Sequence, residues 1–161
     1  MEIEKARMEE GTFDEDNVWT LVEFISVVGD ELHHGKEEAI LFPTIKGRAR
    51  SFEFDDIITT LMKEHAAIRH HLRILRNALE GYVQGDGETV GIVSREFGEV
   101  ADLYSKHIKK EDGLFFPSAM SVLTKEEKER MTEAIMEFDR SFVIKRYEKL
   151  IDIALTDLTK S

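Results

Sequence analysis

The sequence lacks cysteine entirely and contains only two prolines among its 161 residues. Without cysteine, disulfide bonds, thiolate metal ligands and cysteine nucleophiles are all excluded. Few segments alternate between polar and apolar residues, and proline is scarce, which together favour a helical protein. The length suits one domain with a substantial core, so we expect residues 1–161 to form a single helical domain.

Basic residues are also scarce, since the chain has 22 lysines and arginines but 33 aspartates and glutamates, which gives a net charge of −11. Nucleic acids and anionic membrane surfaces are therefore disfavoured as partners, because binding them requires a basic patch. The first ten residues lack the apolar segment of a secretory signal, and no apolar run approaches membrane-spanning length. We therefore expect a cytoplasmic location.

One short pattern occurs twice, and its two copies lie 74 positions apart. In each copy a histidine is followed four residues later by a glutamate, and the copy ends in Phe-Pro. His33 matches His107, and Glu37 matches Glu111. Because side chains four residues apart lie on one face of a helix, each copy presents an imidazole and a carboxylate in the same direction.

Apolar residues recur at helical spacing in four regions of the chain. The first region has an acidic start at 14–16, the second is predicted to begin at Asp55 or Asp56, and the third at Glu88 or Thr89. Residues 46–50 and 81–87 are predicted connections. A capping box at 124–127 opens the fourth region, which is one long helix or two.

Five of the ligand-type residues fall on the apolar rows of these helices: His33, Glu37, His65, His107 and Glu111. A charged carboxylate on a buried row costs several kcal/mol unless it is paired or bound to a metal. Three histidines and two glutamates suit iron, manganese or zinc better than calcium or magnesium, which prefer oxygen ligands. Two carboxylates between opposed helices can also bridge two metals.

Simpler interpretations exist for each residue taken alone. A single histidine on an apolar row is usually a hydrogen-bonded core residue, and a single His-Glu pair usually lies on the surface. Two copies on apolar rows favour a metal site instead. His34 and Glu38 form a second pair four residues apart, and they are the alternative ligands of the first copy. Glu23 and Glu31 interrupt the apolar character near their row.

These motifs resemble the hemerythrin-like (HHE cation-binding) family. The resemblance rests on His-His-Gly-Lys-Glu-Glu before Leu-Phe-Pro, Met-Lys-Glu-His at 62–65, and His-Ile-Lys-Lys-Glu-Asp before Phe-Phe-Pro. It implies an all-α, antiparallel up-down bundle of four helices around a non-haem di-iron site, in proteins that bind dioxygen or respond to oxygen, iron or nitric oxide. It also assigns roles to five residues: terminal ligands His33, His65 and His107, and bridging carboxylates Glu37 and Glu111.

The sequence departs from the family pattern at its start, where a helix carrying another histidine is expected. No histidine precedes His33, so an N-terminal helix is expected to be missing or shortened. Four explanations stay open: a misassigned or truncated start, a second protomer that completes the bundle, a C-terminal region that supplies Glu133 or Glu137, or a mononuclear or metal-free site. Arg69 also stands where the family often has a second histidine.

Three functions compete at this point. The first is a binding protein that holds iron for oxygen or iron sensing, carriage or storage. The second is a ferritin-like di-iron oxidase or peroxidase, whose sites use Glu-x-x-His from two helices, a spacing met only by Glu31 and His34. The third is a structural bundle that acts as an interaction module. An outward-facing C-terminal apolar row would favour a homodimer.

Overall fold

The computed structural model describes residues 14–46 and 51–158, and all elements of these residues are helical. Helix α1 covers 15–45. It is α-helical over Glu15–Phe24 and over Phe42–Ile45. Between them it is π-helical over Ile25–His34 and over Glu37–Leu41. Helix α2 is Ser51–Val83. After a 3₁₀ turn at Gly87–Thr89, helix α3 covers 90–122, as Val90–Lys110, a π-helical Glu111–Phe115, and Phe116–Val122. Helix α4 is Lys125–Leu158.

Helices α1 and α2 run antiparallel, and so do α2 and α3, as the contacts between them show. Early residues of α2 meet late residues of α3, with Nδ1 of His107 3.1 Å from Oε2 of Glu64, while further along α2 Nδ1 of His71 lies 2.7 Å from Oε2 of Glu96. Helix α4 lies against α1, where Lys36 and Asp139 form an ion pair of 2.9 Å. The chain is therefore an all-α, up-down bundle, as the sequence predicted.

The buried apolar side chains form two clusters at opposite ends of α1, α2 and α3. The first cluster comprises Val18, Val22, Ile25, Ile68, Leu72, Leu75, Ala78, Leu79, Val93, Phe97 and Val100. The second comprises Leu41, Phe42, Ile45, Phe54, Ile58, Leu61, Phe115, Ala119 and Leu123. The buried polar residues His34, Glu37, His65, His107 and Glu111 fall between them in each helix. The bundle therefore holds a polar layer between two apolar layers.

Helix ends agree with the sequence at two points. Oδ1 of Asp14 accepts from the backbone N–H groups of Asp16 and Asn17, which caps α1. Thr124 and Glu127 form the predicted capping box, since each side chain accepts from the other residue's backbone N–H. The fourth region is one continuous helix.

Two predicted boundaries were wrong. Helix α2 begins at Ser51 rather than at Asp55 or Asp56, and the earlier start places Phe54 in the second apolar cluster. The helix also continues to Val83, so the predicted loop at 81–87 is shorter than expected, with its turn at Gly85, whose φ of 94° suits glycine. Residues 1–13 and 47–50, which include most of the predicted connection at 46–50, lie outside the described residues.

Helix α4 packs on the outer side of α1 and does not reach the polar layer. A side chain added at Gly35 would meet the ring of Phe138 at 3.0 Å. Glu133 and Glu137 are both exposed, and Glu137 accepts a hydrogen bond from Arg140 at 2.9 Å. The alternative in which these glutamates complete the site is therefore wrong. Within the described residues, no helix is long and apolar enough to cross a membrane.

Candidate metal centre

Three histidines from three helices meet at the centre of the polar layer. His34 of α1, His65 of α2 and His107 of α3 are completely buried. The rings of His34 and His65 stack at a centroid distance of 3.8 Å, and that of His107 lies 5.0 and 4.8 Å from them. Because like charges repel one another, three imidazoles packed this closely cannot all be protonated at once, so the neutral form of the imidazole is favoured within this cluster.

Each of these imidazoles is held from outside by a carboxylate that contacts its Nδ1. The three contacts are His34 with Asp30 at 3.1 Å, His65 with Glu38 at 2.7 Å, and His107 with Glu64 at 3.1 Å. A carboxylate on Nδ1 keeps the proton on that nitrogen and leaves Nε2 as the free lone pair. All three rings are therefore oriented with an electron-pair donor toward the interior.

Two carboxylates face these nitrogens. Oε2 of Glu37 lies 3.4 Å from Nε2 of His65, and Oε1 of Glu111 lies 2.9 Å from Nε2 of His107. Nε2 of His33 lies 3.4 Å from Oε2 of Glu111 and 3.9 Å from Oε1 of Glu37. The ligand atoms thus form two groups, and the atoms within each group all lie within 4.8 Å of one another. The first group comprises His34, Glu37, His65 and His107, and the second comprises His33, Glu37 and Glu111.

The inward-facing atoms lack hydrogen bonds even though they are buried. Within the described residues, no well-aligned hydrogen bond is made by Nε2 of His34, His65 or His107, by either carboxylate oxygen of Glu37, or by Oε1 of Glu111, although Nε2 of His107 and Oε1 of Glu111 lie 2.9 Å apart as an ion pair. Leaving a buried polar atom unpaired costs about 1–3 kcal/mol. Six such atoms around one point are explained by a bound cation, so the donor set fits a metal with nitrogen and oxygen ligands.

The two glutamates have opposite protonation behaviour. Burial and the nearby Glu111 raise the pKa of Glu37 to about 8. Burial also opposes ionisation of Glu111, but its contacts with His107 and His33 outweigh this and lower its pKa to about 2. Without metal, one proton is therefore held by the pair near neutral pH. Burial also lowers the pKa values of His34 and His65, which favours the neutral imidazole that binds metals.

The π-helical stretch of α1 decides which histidine is buried. The buried row runs through Val22, Ile25 and Gly29, and the next buried position is five residues further, at His34. A step of five corresponds to a π turn, whose hydrogen bonds join residue i to i+5. With α-helical steps throughout, His33 would lie on this row, as the apolar spacing predicts. In the structure the side chain of His33 is 39% exposed at the edge of the centre.

The structure brings together all five residues predicted from the rows, and with them His34, one of the two less certain candidates. Glu38, the weaker candidate, lies outside the two groups and holds His65 instead. Asp30 and Glu64 were missed. Asp30 precedes His34 by four residues, a spacing that could have revealed it, whereas the contact of Glu64 with His107 joins two helices and has no local signal.

Arg69 stands at the position where the family that the sequence resembles often has a second histidine. Its guanidinium donates to Oδ1 of Asp30 at 2.7 Å and lies 2.9 Å from Oε1 of Glu38. These carboxylates contact the Nδ1 atoms of His34 and His65. Arg69 therefore neutralises the outer side of the centre and fixes the residues that orient two of its histidines.

Glu64 provides a test of this outer layer, because it contacts both Nδ1 of His107 and the ammonium of Lys110. We expect Glu64→Gln to lower metal affinity by about 10–100-fold without changing the number of metals bound, as is typical for partners of a ligating histidine. Competition with a chromogenic chelator measures this. Glu99→Gln on the exposed side of α3 is the control, and equal affinities in both variants would contradict the assigned role.

One comparison with known proteins identifies a family for this chain. The family model of the hemerythrin HHE cation binding domain matches residues 7–119, which include the three buried histidines. No curated protein and no solved structure matches the chain. The family match covers well over half of the sequence. The chain therefore belongs to the hemerythrin HHE cation-binding domain family.

Proposed function

We propose that this protein binds two iron ions at the polar layer and serves in oxygen or iron sensing, carriage or storage. The observation that carries the proposal is the position of Glu37, which belongs to both ligand groups. A carboxylate offers two oxygens, so one side chain can bind two cations at once. Glu111, close to both His33 and His107, is the second candidate bridge.

The chemistry of the donors supports iron. The groups combine imidazole nitrogen with carboxylate oxygen and contain no sulfur, a combination that suits iron, with manganese or zinc as alternatives. Bound iron would supply one-electron redox chemistry and coordination sites for a small molecule. The protein residues would hold the ions and exclude bulk water from the first group, and the carboxylates on Nδ1 would leave Nε2 of the buried histidines available to bind a cation.

The unequal burial of the two groups supports binding of a diatomic ligand. All members of the first group are buried, whereas His33 in the second group is 39% exposed. The second group also offers only three residues. An ion in the second group would have coordination positions that no protein residue fills, on the side that solvent reaches. Dioxygen or nitric oxide is small enough to bind there.

The ferritin-like alternative receives no support from the structure. The Glu-x-x-His spacing of such sites is met only by Glu31 and His34, but Glu31 is exposed on α1 and belongs to neither ligand group. A purely structural bundle is disfavoured for a different reason, since the unpaired buried atoms would destabilise a fold with no ligand to satisfy them.

Metal analysis of the purified protein after reconstitution with ferrous iron, under nitrogen and then in air, tests the proposal. We expect close to two iron per chain and a visible spectrum that changes on exposure to dioxygen. His65→Ala should lower the iron content, whereas His70→Ala, which alters an exposed histidine one turn further along α2, should not. Equal iron content in both variants, or none in the wild-type protein, would refute the proposal.

A further inference from the structure

Helix α4 carries apolar side chains on two opposite faces. One face, with Phe138 and Phe142, lies against α1 near Gly35 and Glu31. On the opposite face, which we call the outer face, seven large apolar side chains are 50–65% exposed. They are Met136, Val143, Ile144, Tyr147, Leu150, Ile151 and Leu155. Positions 136, 143, 147 and 150 follow the spacing of three, four and seven residues that places side chains on one stripe of a helix.

The size of the outer face is that of an interaction surface. An aromatic side chain such as that of Tyr147 carries roughly 150–250 Å² and the aliphatic ones lie at or below the lower end, so seven of them at this exposure present on the order of 600 Å² of apolar area. A typical monomer rarely shows a larger contiguous apolar patch, and a specific interface buries about 800 Å² per partner. The outer face is therefore large enough to form most of one side of a stable dimer.

We propose that the outer face of α4 binds the outer face of a second copy of this chain, with the two helices antiparallel. A face made of one continuous stripe is self-complementary under a two-fold axis, because each copy presents the same apolar residues to the other. An axis near Tyr147 would pack Val143 of one copy near Ile151 of the other, in the manner of a two-stranded coiled coil.

The charges on the same face select the antiparallel direction. Glu129, Glu133 and Arg140 follow the stripe toward the start of α4, and all three are exposed. A parallel, in-register pair would place each of these charges against its own copy, and like charges across a helix interface are destabilising. In the antiparallel pair the two acidic segments lie at opposite ends, and the apolar segment 143–151 packs against itself.

The mass of the wild-type protein in solution tests the proposal, by light scattering at several micromolar concentrations. We expect a dimer, and we expect Tyr147→Glu to raise its dissociation constant by at least about 30-fold, as at a central interface position. Phe24→Glu is the matched control, because Phe24 is 60% exposed, close to the 65% of Tyr147, but belongs to α1 rather than to α4. A monomeric wild-type protein, or loss of the dimer in Phe24→Glu alone, would overturn the proposal.

The absence of cysteine makes the direction of the helices directly testable. Tyr147→Cys, near the proposed axis, should form an intermolecular disulfide under mild oxidation, because a disulfide needs Cα atoms within about 7 Å. Glu133→Cys should not, since the antiparallel arrangement separates its two copies. Cross-linking of both variants would show a parallel pair and overturn the proposed direction. Circular dichroism of each variant verifies that the fold is retained.

Discussion

Glu37→Gln is expected to leave the protein with no tightly bound metal, while Glu111→Gln keeps one ion of the two. Glu37 is the residue that the two ligand groups share, so its replacement removes a charged ligand from both. Glu111 is needed to complete the second group only, because the buried set of His34, His65, His107 and Glu37 stays complete without it even where Oε1 of Glu111 also reaches the first ion. Glutamine has nearly the same size as glutamate, so the packing of the polar layer is preserved while the negative charge is lost.

The measurement is the metal content after dialysis, together with affinity from chelator competition. We expect the loss of affinity in Glu37→Gln to exceed the about 10–100-fold typical of residues that only contact a ligand. Glu31→Gln is the control, because Glu31 lies on the same helix and is exposed. Two metals in Glu37→Gln would disprove the shared ligand. One metal in Glu37→Gln and none in Glu111→Gln would reverse the two roles.

The parts of this site that the sequence predicts are those with regular α-helical spacing. His65 lies on an uninterrupted buried row of α2, between Leu61 and Ile68. His107 and Glu111 likewise continue the row of α3. Their positions follow from 3.6 residues per turn alone, so the apolar pattern was sufficient to find them.

The parts that the sequence did not predict depend on deviations from that spacing or on contacts between helices. The burial of His34 follows from a π turn, and nothing in the apolar pattern of α1 indicated one. The role of Glu64 depends on how α2 and α3 are aligned. The position of α4 was also ambiguous, because a helix with apolar residues on two faces can dock by either of them.

The stability of the metal-free protein is expected to fall as the pH rises from about 5 to 8, through Glu37. Its pKa is near the ordinary 4.5 in the unfolded chain and about 8 in the folded protein, so the folded state holds the extra proton between these values. Stability decreases with pH wherever the folded state binds more protons. A shift of this size corresponds to on the order of 3–5 kcal/mol, since one pKa unit is about 1.4 kcal/mol.

The pKa values of the four histidines in the centre are shifted as well, so we use the difference between wild type and Glu37→Gln to isolate this residue. Glutamine resembles the protonated acid and has no charge to lose, so its advantage over wild type should grow from pH 5 to 8 and then stay level. Urea unfolding after treatment with a chelator measures it. An advantage that does not vary with pH would contradict the raised pKa of Glu37.

The same proton links stability to metal binding. An ion that binds both groups needs Glu37 ionised, so it must displace the proton that the metal-free protein holds near neutral pH. Metal affinity in the wild-type protein should therefore rise with pH up to about 8, over the range in which the metal-free fold weakens. The carboxylate that destabilises the metal-free protein is then a ligand that stabilises the loaded protein, because binding to the folded state alone adds to the free energy of unfolding.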